Sequence, residues 1–406
     1  MISREGYQLD KVVVLSRHNI RSPLSGGNSL LGTITPHDWF TWTSNPSELS
    51  LRGGVLETQM GQYFRKWLER EGLFPQNARP ESGEVLFYAN SKQRTIATAR
   101  YFSSGLFPVA NEEIVYKTDY DTMNPVFTPQ FTFVSDEYAA AVKEQMKELF
   151  AADIAGLANS YSLISDVVDF KDSWACKSGT VKNLQTEDYE FAVENLKEPS
   201  VKGSLATACS ISDALVLQYY EESNPVSAAF GHTITEEDWK EISKAKDTYQ
   251  KVLFTAPLVS KNIANPLLKQ IREEMGASGR KFSFLCGHDS NIASVLSALE
   301  VEDYSLPYSI ERETPIGSKV VWAEYSTEEG KKYWDIDLVY QTTRQLRTMP
   351  ILDLAHPPAV YPLSFENMER NEDGLYAAED VEKRLQEAIE DYDELLSRYS
   401  VMEPAA

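Results

Sequence analysis

The sequence predicts an α/β fold with a mixed, largely parallel central sheet flanked by helices, and a mostly helical cap inserted in the middle of the chain. Two patterns predict it. Three short apolar runs are each followed by a polar cluster and then by a helix or turn. A long stretch between the second and third runs has helical spacing with few strand runs. We therefore expect a core formed by residues 1–125 and 255–406, and a cap formed by residues 126–254.

The three apolar runs are the basis for predicting a binding site. The runs and the polar clusters that follow them cover residues 11–15 and 16–23, 84–89 and 90–94, and 281–286 and 287–291. In a parallel sheet, such clusters meet in the crevice beyond the carboxyl ends of the strands. Together the clusters contain Arg17, His18, Arg21, Arg94, His288 and Asp289. The sequence therefore predicts an anion-binding site at this edge of the sheet.

The other elements follow from apolar spacing and polar breaks. Helical spacing covers residues 136–157, 213–222 and 234–253. Thr235 and Asp238 resemble a capping box at the start of the last of these helices. Two strands joined by a polar turn are predicted at residues 319–325 and 333–341, and an acidic terminal helix with a solvated outer face at 379–398.

The charge of the chain limits its partners. The 39 basic and 61 acidic residues give a formal net charge of −22, which argues against a nucleic-acid or anionic-membrane surface. No apolar run approaches the roughly 18–20 residues needed to span a bilayer. Residues 1–100 nevertheless carry 12 basic and 9 acidic residues, a net charge of +3. A small anionic ligand remains compatible with this local positive charge.

Cysteine usage and the first residues leave the compartment open. Cys176, Cys209 and Cys286 allow at most one disulfide, and their spacing favours no pairing. Residues 11–15 are too short to be the apolar part of a signal peptide. Either the protein is cytoplasmic, or the chain starts where a processed protein starts.

The Arg-His-x-x-Arg spacing of Arg17, His18 and Arg21 suits a phosphate group. Guanidinium groups match phosphate oxygens and stay charged. The same positive charges lower the pKa of a neighbouring histidine and favour its neutral form. A neutral imidazole with a free ring nitrogen is a competent nucleophile towards phosphorus. His18 is therefore the candidate nucleophile.

The other two clusters supply the remaining candidates. Arg94 and His288 would complete the cradle around the equatorial phosphate oxygens. Asp289 would donate a proton to the leaving oxygen, which requires a protonated carboxyl at the working pH and predicts an acidic optimum. Taken singly, these residues are typical of surface arginines, structural histidines and helix N-caps. Their combination at three strand ends favours the site.

Two motifs carry a resemblance to a known family. Residues 16–24 read Ser-Arg-His-Asn-Ile-Arg-Ser-Pro-Leu, and residues 287–293 read Gly-His-Asp-Ser-Asn-Ile-Ala. Together they resemble the two-part signature of the histidine acid phosphatases, and more closely the bacterial glucose-1-phosphatase and phytase branch. Further similar stretches follow in the expected order between residues 6 and 347. The wider family has glycine at the position of Asn19, whereas the glucose-1-phosphatase branch resembles this chain there.

The resemblance implies a role for each candidate residue. It makes His18 the nucleophile of a metal-free reaction through a phosphohistidine, and Asp289 the proton donor. The phosphate contacts that it implies are Arg17, Arg21, Arg94 and His288. A local match at residues 198–205 aligns Glu198 with a cap glutamate that touches the sugar, although a solvated glutamate is an equal alternative. The resemblance also implies a periplasmic or secreted enzyme, with a cytoplasmic one as the alternative, and Cys176 has no evident disulfide partner nearby.

The sequence therefore predicts a metal-independent acid phosphatase acting on sugar phosphates, with glucose 1-phosphate first and inositol phosphates second. One alternative is a dedicated phytase, which additional pocket cations would favour; Lys92 is the one extra cation that the sequence offers. The other is a sugar-phosphate-binding protein without turnover, against which the presence of all six chemical residues argues. His37, His232 and His356 form no metal-ligand motif, so neither a metal nor another cofactor is expected.

Overall fold

The computed structural model of the protein describes residues 1, 4–24, 29–185 and 189–400. The strands are β1 (Gln8–Arg17), β2 (Val85–Ala89), β3 (Ile114–Val115), β4 (Tyr189–Ala192), β5 (Ser200–Gly203), β6 (Phe282–Gly287), β7 (Lys319–Ser326), β8 (Lys332–Tyr340), β9 (Ala359–Pro362) and β10 (Tyr376–Ala377). The helices are α1 (Leu51–Arg70), α2 (Gln93–Leu106), α3 (Asp136–Ala155), α4 (Ala158–Val167), α5 (Trp174–Lys177), α6 (Ser204–Glu221), α7 (Pro225–Ala228), α8 (Glu236–Phe254), α9 (Pro257–Ile263), α10 (Asn265–Gly276), α11 (Asp289–Ala298), α12 (Thr343–Thr348) and α13 (Ala378–Tyr399).

The three predicted apolar strands lie side by side in one sheet. Its order is β10-β8-β7-β1-β6-β2-β3, and β9 also pairs with β8. Strands β1, β6, β2 and β3 pair in parallel, whereas β7 pairs antiparallel with both β1 and β8. The predicted fold class, a mixed and largely parallel sheet flanked by helices, is confirmed.

Strand β1 is buried on both faces, which explains why its sequence is a continuous apolar run. Val12 and Val14 belong to an apolar cluster that also contains residues of α1 and α2. Val13 and Leu15 point to the opposite face and belong to a second cluster, with residues of α10, α11 and α13. The helices thus cover the sheet from both sides.

The register of the parallel strands brings the polar clusters to one level. Arg17 is opposite Gly287 in the β1–β6 pair, and Ala89 is opposite Cys286 in the β2–β6 pair. All three strands therefore end together, and the residues that follow them enter the same crevice.

The chain between β3 and β6 contributes most of a third apolar cluster through its helices. The Thr235–Asp238 capping box at the start of α8 is present. The hairpin of β4 and β5 was not expected, and α6 begins at Ser204 rather than near 213, because small residues in its first turns hide the apolar spacing. The cluster also includes Ile20 and Ile316 outside this segment. The boundary of the cap at 126–254 therefore stays a prediction.

Helix α13 coincides closely with the predicted acidic terminal helix. Its outer face is solvated, but Val381, Leu385 and Ile389 form a buried stripe in the same apolar cluster as Val13 and Leu15. Cys176, Cys209 and Cys286 are free thiols. Among the described residues, no helix is both long and apolar enough to cross a membrane.

Candidate active site

The loop after β1 passes close to two glycines. A Cβ at Gly53 of α1 would lie 2.4 Å from the carbonyl oxygen of Ile20. A Cβ at Gly317 would lie 2.4 Å from Nδ2 of Asn19, and the positive φ of 71° at Gly317 also favours glycine. These two positions let a helix and a turn approach the loop that carries the predicted nucleophile.

His18 is 3% exposed and points into the crevice. Its Nδ1 lies 2.9 Å from the carbonyl oxygen of Asn19. Because a carbonyl can only accept, Nδ1 carries the proton of the neutral ring and Nε2 keeps its lone pair. Burial lowers the pKa of His18 well below its usual value, and the charges of Arg94, His288, Arg21 and Arg17 lower it further, in that order. The ring is therefore neutral and has a nucleophilic nitrogen.

Arg17 lies behind the crevice, 1% exposed, and contacts groups from distant parts of the chain. Its Nη1 donates to Oε1 of Glu311 at 2.8 Å and to the carbonyl of Thr314 at 2.6 Å. Its Nη2 lies 3.1 Å from Oδ2 of Asp289. Burial alone would lower the pKa of Arg17, but the charges of Asp289 and Glu311 outweigh it and raise the pKa. Arg17 is therefore a permanently charged group with a fixed orientation.

The other predicted cations, Arg21 and Arg94, line the same pocket as His18. Nη2 of Arg21 lies 3.0 Å from Oδ2 of Asp213, and Nη2 of Arg94 lies 3.5 Å from Nδ1 of His288. The ring centroids of His18 and His288 are 5.5 Å apart. Burial, and then the charge of Arg21, lower the pKa of Arg94 to about 10, so Arg94 is still charged at neutral and acidic pH.

Asp289 is the first residue of α11, and its carboxylate contacts Arg17. Burial would raise the pKa of Asp289, but the charges of Arg17 and Lys246 outweigh it and lower the pKa below its usual value. Asp289 is therefore ionised in the free protein. The sequence did not reveal how closely two cations approach this carboxyl, and its protonation at the working pH stays a prediction.

A pocket of about 360 Å³ joins these groups. The predicted residues that line it are His18, Arg21, Arg94, Glu198, His288 and Asp289. The side chain of Glu198, in the loop between β4 and β5, is open to solvent within this concave surface. Burial by the pocket walls, and then the charge of Asp289, raise the pKa of Glu198. The structure thus brings all the predicted site residues together, with Arg17 directly behind them.

Several residues of the site were missed by sequence reasoning. Asp213, Lys246 and Tyr249 line the same pocket. Lys246 of α8 donates to Oε1 of Glu311 at 2.6 Å, and that oxygen also accepts from Arg17. These contacts join residues far apart in the chain, and no local motif announces them. Glu311 directly precedes residues 312–317, one of the stretches that resemble the family.

The histidines outside the pocket have carboxylate partners that their spacing did not reveal. His37 and His232 contact the same oxygen of Asp169, at 2.7 and 3.2 Å, and His356 contacts Asp353 at 3.2 Å. In the described part of the chain, no group of three or more His, Cys, Asp or Glu residues could hold a metal ion.

A pocket that surrounds a neutral, nucleophilic imidazole with cations can bind a phosphate ester and accept its phosphoryl group. The fold and the site thus define a class of phosphatases that work through a histidine. The chain belongs to the histidine phosphatase superfamily, branch 2, whose family model matches residues 8–340. The predicted family and the predicted enzyme class, a histidine acid phosphatase, are confirmed.

The most similar relatives include two enzymes named glucose-1-phosphatase. The one from Providencia rettgeri is 37% identical over 392 residues, which cover 94% of this chain and 92% of the relative. The one from Salmonella typhimurium is 39% identical over 357 residues, which cover 87% of this chain and 86% of the relative. Among solved structures, the phytase from Citrobacter braakii has the same fold, with a TM-score of 0.85, 24% identity and coverage of 95% of this chain and 99% of that chain.

Proposed function

We propose that the protein hydrolyses sugar phosphates, with glucose 1-phosphate as its preferred substrate, through a phosphohistidine at Nε2 of His18 and without a metal ion. The observation that carries this proposal is the 2.9 Å contact between Nδ1 of His18 and the carbonyl of Asn19. It leaves Nε2 as the unprotonated nitrogen, inside a pocket lined by cations.

The reaction proceeds in two displacements. Nε2 of His18 attacks phosphorus, the bond from phosphorus to the ester oxygen breaks, and Asp289 gives that oxygen a proton. Water then attacks the phosphorus of the phosphohistidine, Asp289 takes a proton from the water, the bond from phosphorus to Nε2 of His18 breaks, and inorganic phosphate leaves. Arg17, Arg21 and Arg94 stabilise the charge on the equatorial oxygens in both steps.

The formal charges of the pocket favour a substrate with one phosphate group. Its described lining contains the cations Arg21, Arg94 and Lys246 and the carboxylates Glu198, Asp213 and Asp289. The lining therefore has equal numbers of positive and negative groups, and the positive charge of Arg17 behind it is matched by its contacts with Asp289 and Glu311. A single phosphate is accommodated beside the arginines, whereas additional phosphates of an inositol polyphosphate would face carboxylates.

The extra cations that would favour a dedicated phytase are engaged elsewhere. Lys92 does not line the pocket; its Nζ donates to the backbone carbonyl of Asp121 at 2.6 Å. Lys246 lines the pocket but is paired with Glu311. The names of the Providencia and Salmonella relatives support the same preference. Inositol phosphates remain secondary substrates in this proposal.

Glu198 would recognise the sugar. Its carboxylate is in the pocket but has no hydrogen-bond partner among the described residues, so it is available to accept hydrogen bonds from sugar hydroxyls. Burial by the pocket walls is the first cause of the raised pKa of Glu198, and the side chain stays open to solvent on its other side.

Phosphate release tests the proposal directly. Glucose 1-phosphate and phytate are compared at pH 5 with EDTA present, and kcat/KM should be higher for glucose 1-phosphate. His18→Ala should lower kcat by on the order of 10⁴-fold or more, while His356→Ala, at an exposed histidine, should not change it. Loss of activity in EDTA, or persistent turnover by His18→Ala, would contradict the proposal. Binding of glucose 1-phosphate without phosphate release would favour the non-catalytic alternative.

We also propose that the enzyme works in the periplasm or after secretion. The resemblance to the bacterial glucose-1-phosphatase branch supports this location. Fractionation of the producing cells, with phosphatase activity measured in each fraction, tests it; activity confined to the cytoplasmic fraction would contradict it.

A further inference from the structure

Asn19, next to the nucleophile, makes four hydrogen bonds: its backbone N–H donates to Oγ1 of Thr98 at 3.2 Å, and three others connect it to α1, to Ile20 and to His18. Nδ2 donates to Oε1 of Glu57 at 3.0 Å, and Oδ1 accepts from the backbone N–H of Ile20 at 2.8 Å. Its backbone carbonyl accepts from Nδ1 of His18 at 2.9 Å. Asn19 is fully buried. The side chain of Asn19 is therefore fixed by Glu57 of α1, while the backbone carbonyl of the same residue contacts the ring of His18.

Glu57, the side-chain partner of Asn19, is itself held by Lys319 from a second side of the core. Glu57 lies on α1 and Lys319 on β7, and both are fully buried. Nζ of Lys319 donates to Oε1 of Glu57 at 2.8 Å and to the carbonyl of Gly317 at 2.9 Å. The other oxygen of Glu57, Oε2, has no partner among the described residues. A buried carboxylate in this position depends on Asn19 and Lys319 for its stabilisation.

The peptide plane between Asn19 and Ile20 links this network to His18. That plane contains both the carbonyl of Asn19 and the N–H of Ile20. When Oδ1 of Asn19 holds the N–H, the direction of the carbonyl is fixed as well, and so is the acceptor that Nδ1 of His18 uses. A fixed acceptor favours the tautomer with the proton on Nδ1 and limits rotation of the ring.

We propose that Asn19, held by Glu57 and Lys319, is a positioning residue that keeps His18 in its nucleophilic tautomer and orientation. The proposal deepens the proposed function, since that function gives Nε2 of His18 its task. The tautomer itself can be measured without turnover. Failure of the positioning role and failure of the nucleophile role are therefore distinguishable.

An exchange of donor and acceptor between residues 19 and 57 provides the sharpest test. Asn19→Asp alone places two carboxylates at the 3.0 Å contact and should lower kcat at least about 10-fold while changing KM less than about 3-fold. The double variant Asn19→Asp with Glu57→Gln restores one carboxylate and one amide in reversed order. It should recover kcat to within about 3-fold of the parent, a coupling that independent sites would not show.

A surface pair of the same chemistry is the matched control. Nδ2 of Asn367 lies 3.4 Å from Oε2 of Glu300 in an exposed contact beyond the last residue of α11. Asn367→Asp should leave kcat and KM unchanged. Thermal unfolding of every variant identifies any that fails to fold. If Asn19→Asp does not fold, Asn19→Gly replaces it as the test variant, because glycine removes the side chain without adding a charge.

The tautomer is read by ¹⁵N NMR of the labelled histidines in the free protein, with the His18→Ala spectrum identifying the His18 signals. We expect the parent and the double variant to show the proton on Nδ1, and the folded single variant to show a substantial population with the proton on Nε2. An unchanged tautomer together with unchanged kcat would overturn the positioning role. A shifted tautomer with unchanged kcat would instead contradict the nucleophile role of His18.

Discussion

Asp289 is the residue whose charge must differ between the free protein and the reacting complex. Arg17 and Lys246 keep its pKa low despite burial, so it is ionised when the pocket is free. A phosphate ester bound among the same cations brings compensating negative charge, and we expect the pKa of Asp289 to rise on binding. The proton needed by the leaving oxygen then enters with the substrate, or from solvent after binding.

Asp289→Asn tests the proton-donor role through the leaving group. Hydrolysis of glucose 1-phosphate should fall by about 10²–10⁴-fold, because the sugar oxygen leaves poorly without a proton. Hydrolysis of p-nitrophenyl phosphate should fall much less, since nitrophenolate leaves readily as an anion. Steady-state kcat for the two esters gives the ratio, and Asp353→Asn is the control at a carboxylate outside the pocket. Equal losses for both esters would argue that Asp289 serves only to orient Arg17.

Lys246→Met tests whether the positive charge of Lys246 on α8 keeps the pKa of Asp289 low. Removing the positive charge should raise the pKa of Asp289, so the carboxyl stays protonated to higher pH in the substrate complex. The decline of kcat on the alkaline side should therefore move to higher pH. Lys240→Met, on the same helix but paired with Glu237 at the surface, is the matched control. A profile that stays in place, or moves to lower pH, would contradict this electrostatic role.

At the residue scale, the sequence predicted the groups that follow directly after strands. Arg17, His18, Arg94, His288 and Asp289 are all within a few residues of a strand end, so the fold class alone places them in one crevice. Glu311 and Lys246 could not be predicted in this way, since their pairing joins the loop before β7 to α8. Nothing in the local sequence of either residue indicates a buried ion pair.

Among the elements, helix α1 packs tightly against the loop that carries His18. Gly53→Ala would place a methyl group 2.4 Å from the carbonyl oxygen of Ile20, a backbone atom that cannot move aside easily. We expect the loop to shift, and kcat to fall about 10-fold or more because a small misplacement of the nucleophile is costly. Kinetics on glucose 1-phosphate and thermal unfolding measure the two effects.

Gly276→Ala is the matched control for this helix substitution. Gly276 is the last residue of α10, and a Cβ there meets no atom within 4 Å. The alanine should leave kcat unchanged and stabilise the protein by up to about 1 kcal/mol through helix propensity. Equal behaviour of the two alanine variants would show that Gly53 is not needed for the approach of α1.

The accuracy of the predicted elements depended on how much apolar spacing each contained. β6 is fully buried, β1 is buried from Lys11 onward, and both contain continuous apolar runs; α8 has both apolar spacing and a capping box. The hairpin of β4 and β5 is different, since its short strands expose several residues and Glu190, Lys202 and Gly203 interrupt any apolar pattern. Phe191 and Val201 of this hairpin belong to the third apolar cluster, a packing that its local sequence does not indicate.

For the whole molecule, Glu313 makes stability depend on pH. Burial, and then the charge of Asp247, raise the pKa of Glu313 to about 7. Its pKa in the unfolded chain is about 4.3. Between these values the folded state binds a proton that the unfolded state releases, so the free energy of unfolding falls as pH rises from about 4.3 to about 7. One such proton lowers the free energy of unfolding by up to about 1.4 kcal/mol for each pH unit over this interval.

Glu313→Gln should remove this contribution and flatten the pH dependence over that interval. The free energy of unfolding is measured by urea titration at pH 5, 6, 7 and 8, with tryptophan fluorescence as the signal. Glu302→Gln, at an exposed carboxylate in the same loop region, is the control. A slope that is unchanged in the Glu313 variant would show that another group is responsible.

The pairing of β1 has a consequence for how the chain reaches its active state. Among the residues that the structure describes, its strand partners are β6, which begins at Phe282, and β7, which begins at Lys319. During synthesis, Val12 to Leu15 therefore have no strand partner until most of the polypeptide exists. Pairing over such a sequence separation closes a large loop and is slow, and the waiting apolar segment is prone to aggregation. The catalytic crevice consequently assembles late, and a nascent chain that stops before residue 326 has no complete site with which to act on phosphate esters.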